Sequence, residues 1–257
     1  MRITRRTGLT LAAAAIGSNA LPKIGLAQET AKTFRYPVDG GVVVFHPVEH
    51  SSMVVETPKG VIHVDPVGGA AKYADLPQPD LILITHEHGD HFDLPTLDAL
   101  PAVRLISNPA VHDMLPEEMK TRASSMENGD VVEVLDLRIE AIPAYNTTED
   151  RLQYHPKGRD NGYVLTIGGK RFYIAGDTEP TPEMLALTDI EVAFLPMNLP
   201  YTMTVEQAAE AVAAIKPTVV FPYHFRGSDV DEFARLVEAG GSGSLAIIAN
   251  WYPEGME

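Results

Sequence analysis

Cysteine is absent from the 257 residues of this chain. That excludes disulfide stapling and any site built on thiolate ligands, so a metal, if bound, must be held by nitrogen and oxygen donors. No uninterrupted apolar run reaches the length a membrane-spanning helix needs, about 18 residues or more. Basic side chains are scarce: 20 Lys and Arg stand against 35 Asp and Glu, a net charge of −15. A surface of that sign repels phosphate backbones, which argues against nucleic acid as partner and against a nuclease. Low-complexity tracts and internal linkers are missing too. With 45% hydrophobic residues, one large globular domain is the economical reading.

The first 27 residues differ in texture from the rest. "MRITRRTGLTLAAAAIGSNALPKIGLA" has a basic start, an Ala-rich apolar stretch and a small-residue end before Gln28. That layout predicts an export signal, and adjacent Arg5 and Arg6 resemble the twin-arginine type. The expectation is a signal peptide over 1–27, a mature domain over 28–257, and a periplasmic or secreted protein with no stable membrane insertion after processing. Removing Arg2, Arg5, Arg6 and Lys23 with no acid takes the net charge from −15 to −19. Nothing in the composition fixes an oligomeric state.

Beyond the signal, short β-rich runs are broken by Gly and Pro. "GVVVF" (41–45), "SMVVET" (52–57) and "GVIHVD" (60–65) predict an antiparallel meander. "DLILIT" (80–85) is apolar throughout apart from its ends, the pattern of a strand covered on both faces. Helices are expected at 94–100 and near 109–114, with a strand at 103–107 between them. Residues 130–144 predict two strands, and "GYVLTIGGKRFYIAGD" (162–177) a hairpin over Gly168-Gly169. The last third alternates: strand 192–196, a Thr-capped helix 204–216, strand 218–224, helix 229–240, strand 244–249. Two sheets, each with helices on its outer face, would cover every apolar stripe.

The chemistry is concentrated in "ITHEHGDHFD", where the buried strand ends. His86, His88, Asp90 and His91 fall within six residues, and Gly89 permits a tight turn between them. Imidazole and carboxylate are the usual ligands of zinc-like ions in hydrolytic sites. Two further strand ends offer donors: Asp177 in "FYIAGDTEP" and His224 in "VVFPYHFRG". A carboxylate such as Asp177 can bridge two cations. Any one cluster is weak evidence, but three at strand ends in one chain are a pattern.

H-x-H-x-D-H after a buried strand, then G-D-T, then a late strand-terminal His, resembles the metallo-β-lactamase superfamily over roughly residues 41–250. "VDPVG" and "AFLPMNLPYTMTVEQAAEAVAAIKPTVVFPYH" are similar to the branch that includes the ascorbate-6-phosphate lactonase. The resemblance implies an α/β fold, a four-layer αββα sandwich in one domain. It implies a metal-dependent hydrolase of a small-molecule ester, lactone or phosphodiester, with zinc, or else manganese or iron, as one or two ions. His86 and His88 would hold the first metal. Asp90, His91 and His224 would hold the second, Asp177 would lie between them, and Asp90 would also serve as the catalytic proton acceptor. Asp65 would support the metal loop from behind. The family carries one more metal-binding His, where this chain has Asn146. His155, in "YHPKGRDNGY", is the nearest histidine that could substitute from a loop. That gap motivates a second reading, a non-catalytic metal-binding or sensor domain. His46, His63 and His112 are expected to be ordinary packed or surface histidines; His50 is expected to be a loop histidine, with an approach to the site as the alternative. Lys157, Arg159 and Arg226 are candidates to receive a substrate anion, and Tyr201 and Met203 to wall a pocket.

Overall fold

The computed structural model describes residues 33–100 and 104–255. The expected export signal lies outside these residues, as do the first residue of the predicted strand at 103 and the start of the predicted mature domain. Two seven-stranded sheets face each other. The first runs in chain order through β1 (Phe34–Val38), β2 (Gly41–Glu49), β3 (Ser52–Thr57), β4 (Gly60–Val64), β5 (Leu81–Leu83), β6 (Arg104–Ser107) and β7 (Ala123–Ser125). Its first four strands are the antiparallel meander, and β4 to β7 pair in parallel. The second holds β8 (Val131–Val134), β9 (Leu137–Ala144), β10 (Asp160–Ile167), β11 (Lys170–Ile174), β12 (Ile190–Pro196), β13 (Val219–Tyr223) and β14 (Leu245–Ala246). It is antiparallel from β8 to β11 and parallel from β11 to β14. The α/β sandwich expected from the sequence is therefore present.

Side-chain alternation explains the layers. Leu81 and Leu83 of β5 join the core between the sheets, while Ile82 and Ile84 enter an outer cluster with Val54, Leu97, Leu105 and Val111. Both faces of β5 are thus covered, which is why its sequence is uninterrupted Leu and Ile. The outer cluster is closed by α1 (Leu94–Ala99), α2 (Pro109–Met114) and α3 (Glu117–Lys120). On the other sheet α4 (Pro182–Leu185) precedes α5 (Val205–Ile215) and α6 (Val230–Ala239), and α5 opens with a reciprocal capping box between Thr204 and Gln207. The inter-sheet core is aromatic: Phe194 lies 4.9 Å from Phe45, 5.1 Å from Phe221 and 6.1 Å from Trp251, centroid to centroid.

The differences from the sequence reading are local. The sequence pattern does not show β1, β7, α3 and α4; the two helices are single turns of four residues, too short for helical periodicity to register. The final strand covers Leu245–Ala246 rather than 244–249. Beyond it the chain turns to place Trp251 and Tyr252 in the core.

Candidate metal centre

Every sequence-predicted ligand sits where a strand stops, on one edge of the sandwich. Asp65 directly follows β4 in a left-handed conformation, φ 44°, and its N–H donates to Leu83 O at 2.9 Å. This aims its carboxylate across the next strand end, where Oδ1 accepts Thr85 N–H (2.7 Å) and Oδ2 accepts Thr85 Oγ1–H (2.7 Å). Oδ2 also lies 2.8 Å from His91 Nδ1. Asp65 thus fixes the ring of His91 and leaves Nε2 facing the cluster, the supporting role expected of it.

Asp177 reaches the centre because Gly176 turns at φ +65°, where an added Cβ would sit 2.9 Å from Asn161 O. Only glycine fits that approach. Asp177 is the hub: Oδ1 is 3.2 Å from His91 Nε2, and Oδ2 is 3.2 Å from His224 Nε2 and 3.5 Å from His155 Nε2. The expectation of a carboxylate between two sets of ligands matches this geometry.

Three groups of donors arise, each with ligand atoms within 4.8 Å of one another: His86, His88 and His155; His86, His91 and Asp177; His50, Asp90 and His224. Two of them bear on alternatives that the sequence left open. His155 stands beside His86 and His88, with ring centroids 5.0 and 4.8 Å away. Its Nδ1 lies 3.0 Å from Asp160 Oδ2, which leaves Nε2 toward Asp177. Asn146 donates its amide nitrogen to Tyr201 O (2.7 Å) and Arg151 O (3.1 Å), while its Oδ1 is buried without a hydrogen-bond partner. It stitches the loop that carries His155. The second is His50, a turn histidine that is buried with Nε2 3.2 Å from Asp90 Oδ2.

The loop from Asn146 to His155 is held by a fully buried carboxylate that no sequence motif singles out. Glu179 accepts Thr147 N–H and Thr148 N–H at 2.6 Å each, Thr148 Oγ1–H at 2.6 Å and Arg151 Nη1 at 2.8 Å. Arg159 is likewise committed, to Asp160 through two hydrogen bonds and to Glu87 at 2.8 Å. Lys157 lies 3.1 Å from Tyr145 Oη and 3.5 Å from Glu183. Arg226 is exposed over the Tyr252 ring, Tyr201 is exposed and Met203 is buried. The three histidines expected to be ordinary are so: His46 bonds Glu56, His63 bonds Pro77 O and stacks on Tyr73, and His112 ends α2.

Electrostatics sort the donors. Burial holds His86 well below its ordinary 6.5, and burial lowers His88 and His50 as well, so these rings keep a lone pair at neutral pH. Burial would lower His91 too, but Asp177 and Asp65 flank it and push it well above 6.5. Burial works to raise Asp177, and the surrounding His224 and His91 hold it well below the usual carboxylate range. Burial would raise Asp90, but it is depressed as well, because the His224 and His50 rings lie 3.3 and 3.2 Å from its Oδ2.

Do these residues suit a cation? His91 Nε2, His155 Nε2, His224 Nε2 and Asp177 Oδ1 are enclosed yet make no hydrogen bond. Three ring nitrogens converge on the Asp177 carboxylate, at 3.2–3.5 Å, and a buried polar atom left without a hydrogen bond costs about 1–3 kcal/mol. A divalent cation satisfies such atoms, and an all-imidazole-and-carboxylate set suits zinc, manganese or iron. The clefts of about 430 and 580 Å³ near Arg104 and Glu133 contain none of these residues, so the chemistry is not there.

Comparison with known proteins agrees with this geometry. Residues 45–224 match the beta-lactamase superfamily domain. A UPF0173 metal-dependent hydrolase of Pyrococcus abyssi is 30% identical over 203 residues, covering 73% of this chain and 89% of its own. A protein of Parabacteroides distasonis crystallised as a metal-dependent hydrolase is 39% identical with a TM-score of 0.77, over 86% of this chain and 99% of its own. Igni18, a metallo hydrolase of the archaeon Ignicoccus hospitalis, is 27% identical with a TM-score of 0.68, over 80% and 94%.

Proposed function

The chain belongs to the beta-lactamase superfamily as a metal-dependent hydrolase, and from that premise we propose that it cleaves an ester, lactone or phosphodiester bond in a small molecule. The observation that carries this is the set of orphaned imidazole and carboxylate atoms around Asp177. His86, His88 and His155 would hold one cation, and Asp90, His91 and His224 the other, with Asp177 between. Zinc is the first choice, with manganese or iron as alternatives, and one or two ions. A bound cation supplies Lewis-acid polarisation of the scissile oxygen and acidifies water.

The protein's own groups do the rest. Asp90 is the half-exposed carboxylate of the cluster, 49% accessible where Asp177 is 3%. It therefore stands at the mouth, ionised, and can accept the proton of the attacking water. Arg159 and Lys157 are neutralised by Glu87, Asp160 and Glu183, which leaves exposed Arg226 as the cation available to a substrate anion. An uncharged carboxylic ester or lactone needs no such receptor and is the first choice over a phosphodiester. The sensor reading loses its motive, because His155 stands where the sequence pattern left a gap.

Parallel assays on a lactone, a carboxylic ester and a phosphodiester, with and without chelator, test the proposal. Chelator-sensitive turnover of the lactone or ester is expected. Equal rates in metal-free and metal-loaded protein would refute it. We further propose export by the twin-arginine route with processing near Ala27; Arg5 and Arg6 replaced by Lys should leave precursor in the cytoplasm, and an unchanged periplasmic yield would refute that route.

A further inference from the structure

His50 sits in the turn between β2 and β3 at φ 54°, a left-handed conformation that side-chain-bearing residues rarely adopt. Its N–H donates to Trp251 O (2.9 Å), and its carbonyl accepts His224 N–H (3.0 Å). The turn is therefore sewn both to the end of β13 and to the C-terminal segment. Both ring nitrogens are engaged: Nδ1 lies 2.8 Å from Tyr252 Oη and Nε2 lies 3.2 Å from Asp90 Oδ2.

The phenol decides which nitrogen carries hydrogen. Tyr252 Oη already accepts Phe225 N–H at 3.0 Å. Its own O–H still requires an acceptor, and among the described residues His50 Nδ1 is the one hydrogen-bonded to it that can accept. A ring nitrogen that accepts carries no proton, so the hydrogen of His50 is on Nε2. That N–H faces a carboxylate, which only accepts. A doubly protonated ring fails the same test, since its Nδ1–H would leave the phenol proton without a partner.

We propose that His50 is a hydrogen-bond donor to Asp90 and not a metal ligand, with Tyr252 setting its tautomer. The two roles exclude each other, although His50, Asp90 and His224 have the spacing a cation requires: a nitrogen that bears hydrogen has no lone pair to give. Asp90 is the cluster member that needs a tether, being 49% exposed. The same turn supplies a second one, as Ser51 Oγ–H donates to Asp90 O at 3.1 Å. Tyr252 is itself clamped, with the Phe225 ring 5.0 Å and the Arg226 guanidinium 5.7 Å from its centroid. His50 and Tyr252 are thus positioning residues that act through Asp90. Only the rate consequence rests on the hydrolase reading.

Long-range proton–nitrogen correlation spectra of the zinc-loaded and metal-free protein read the tautomer directly. The His50 signals are those missing from His50→Gln. A proton on Nε2 with an unprotonated Nδ1, in both forms, is expected; a proton on Nδ1, or a metal-shifted Nε2, overturns the proposal. His50→Gln should keep the wild-type metal content, because its amide can donate to Asp90 and accept from Tyr252. Loss of a metal equivalent in that variant overturns it as well. Tyr252→Phe should allow the Nδ1–H form to populate, and an unchanged tautomer there removes Tyr252 from the account. With a turned-over substrate, His50→Ala should lower kcat about 10–100-fold at nearly constant KM, and Gln should recover most of it. If no substrate is turned over even by wild type, the hydrolase reading fails while the spectra still decide the tautomer.

Discussion

Replacing His155 by Ala removes one of three imidazoles from the group with His86 and His88. Structural zinc sites with four ligands bind with about 10–16 kcal/mol in total, which is about 3 kcal/mol for each ligand. Losing His155 should then weaken that cation by about two powers of ten. The fold should tolerate the change, because Asp160, which loses its histidine, keeps two hydrogen bonds from Arg159. A milder variant probes the same point: Asp160→Asn leaves His155 in place but disturbs the carboxylate at 3.0 Å from Nδ1, and about 10–100-fold weaker binding is expected. Asn146→Ala should change metal affinity far less than either, since an amide oxygen is a weaker ligand than imidazole for such an ion. Competition against a chromophoric chelator, with elemental analysis at each step, measures all three. If His155→Ala holds both metals as tightly as wild type while Asn146→Ala does not, the assignment of the first site is wrong.

Asp65→Asn should also weaken metal binding by about 10–100-fold, because His91 Nδ1 loses its carboxylate partner at 2.8 Å; isothermal titration with zinc checks it. Metal uptake should release protons at neutral pH. His91 is raised well above 6.5 by Asp177 and Asp65 despite its burial, so affinity should climb with pH until His91 deprotonates, and calorimetry in buffers of different ionisation enthalpy counts the protons. The same shift acts on metal-free stability: the contribution of His91 is complete below about 6.5, its unfolded value, and is lost as pH rises through the raised folded value. Asp177, depressed, contributes above about 3.9 and loses that contribution as pH falls through its folded value. Denaturant melts across pH test both signs. Phe194→Ala should cost about 3–5 kcal/mol, since Phe194 is fully buried among Phe45, Phe221 and Trp251; a shift in denaturation midpoint at unchanged slope is the expected result.

Much of the centre was legible because ligands cluster at strand ends and strand ends announce themselves. The uninterrupted apolar run from Leu81 to Ile84 locates β5 and hence the loop of His86, His88, Asp90 and His91. Gly176-Asp177 was readable for a related reason, as the close backbone approach admits only glycine. What stayed hidden was long-range pairing. His50 is 40 residues from Asp90 and 202 from Tyr252, and no local pattern ties a turn in one sheet to the tail of the other. Glu179 reads as an ordinary acid after "GDT", yet it organises a loop that lies about 30 residues before it. Asp160 had a local hint, the adjacent Arg159, but its bond to His155 depends on how the loop between β9 and β10 folds back. His155 is separated from Asn146 by its place beside His86 and His88, which no local pattern announces.

Anomalous diffraction from crystals of the zinc-reconstituted protein, recorded on both sides of the zinc absorption edge, tests the central claim most directly. The account predicts one peak bounded by His86, His88 and His155 and a second bounded by His91, His224 and Asp90, with Asp177 between them and His50 outside the coordination of either. No peak in this cluster, or a peak coordinated by Asn146 in place of His155, would contradict it.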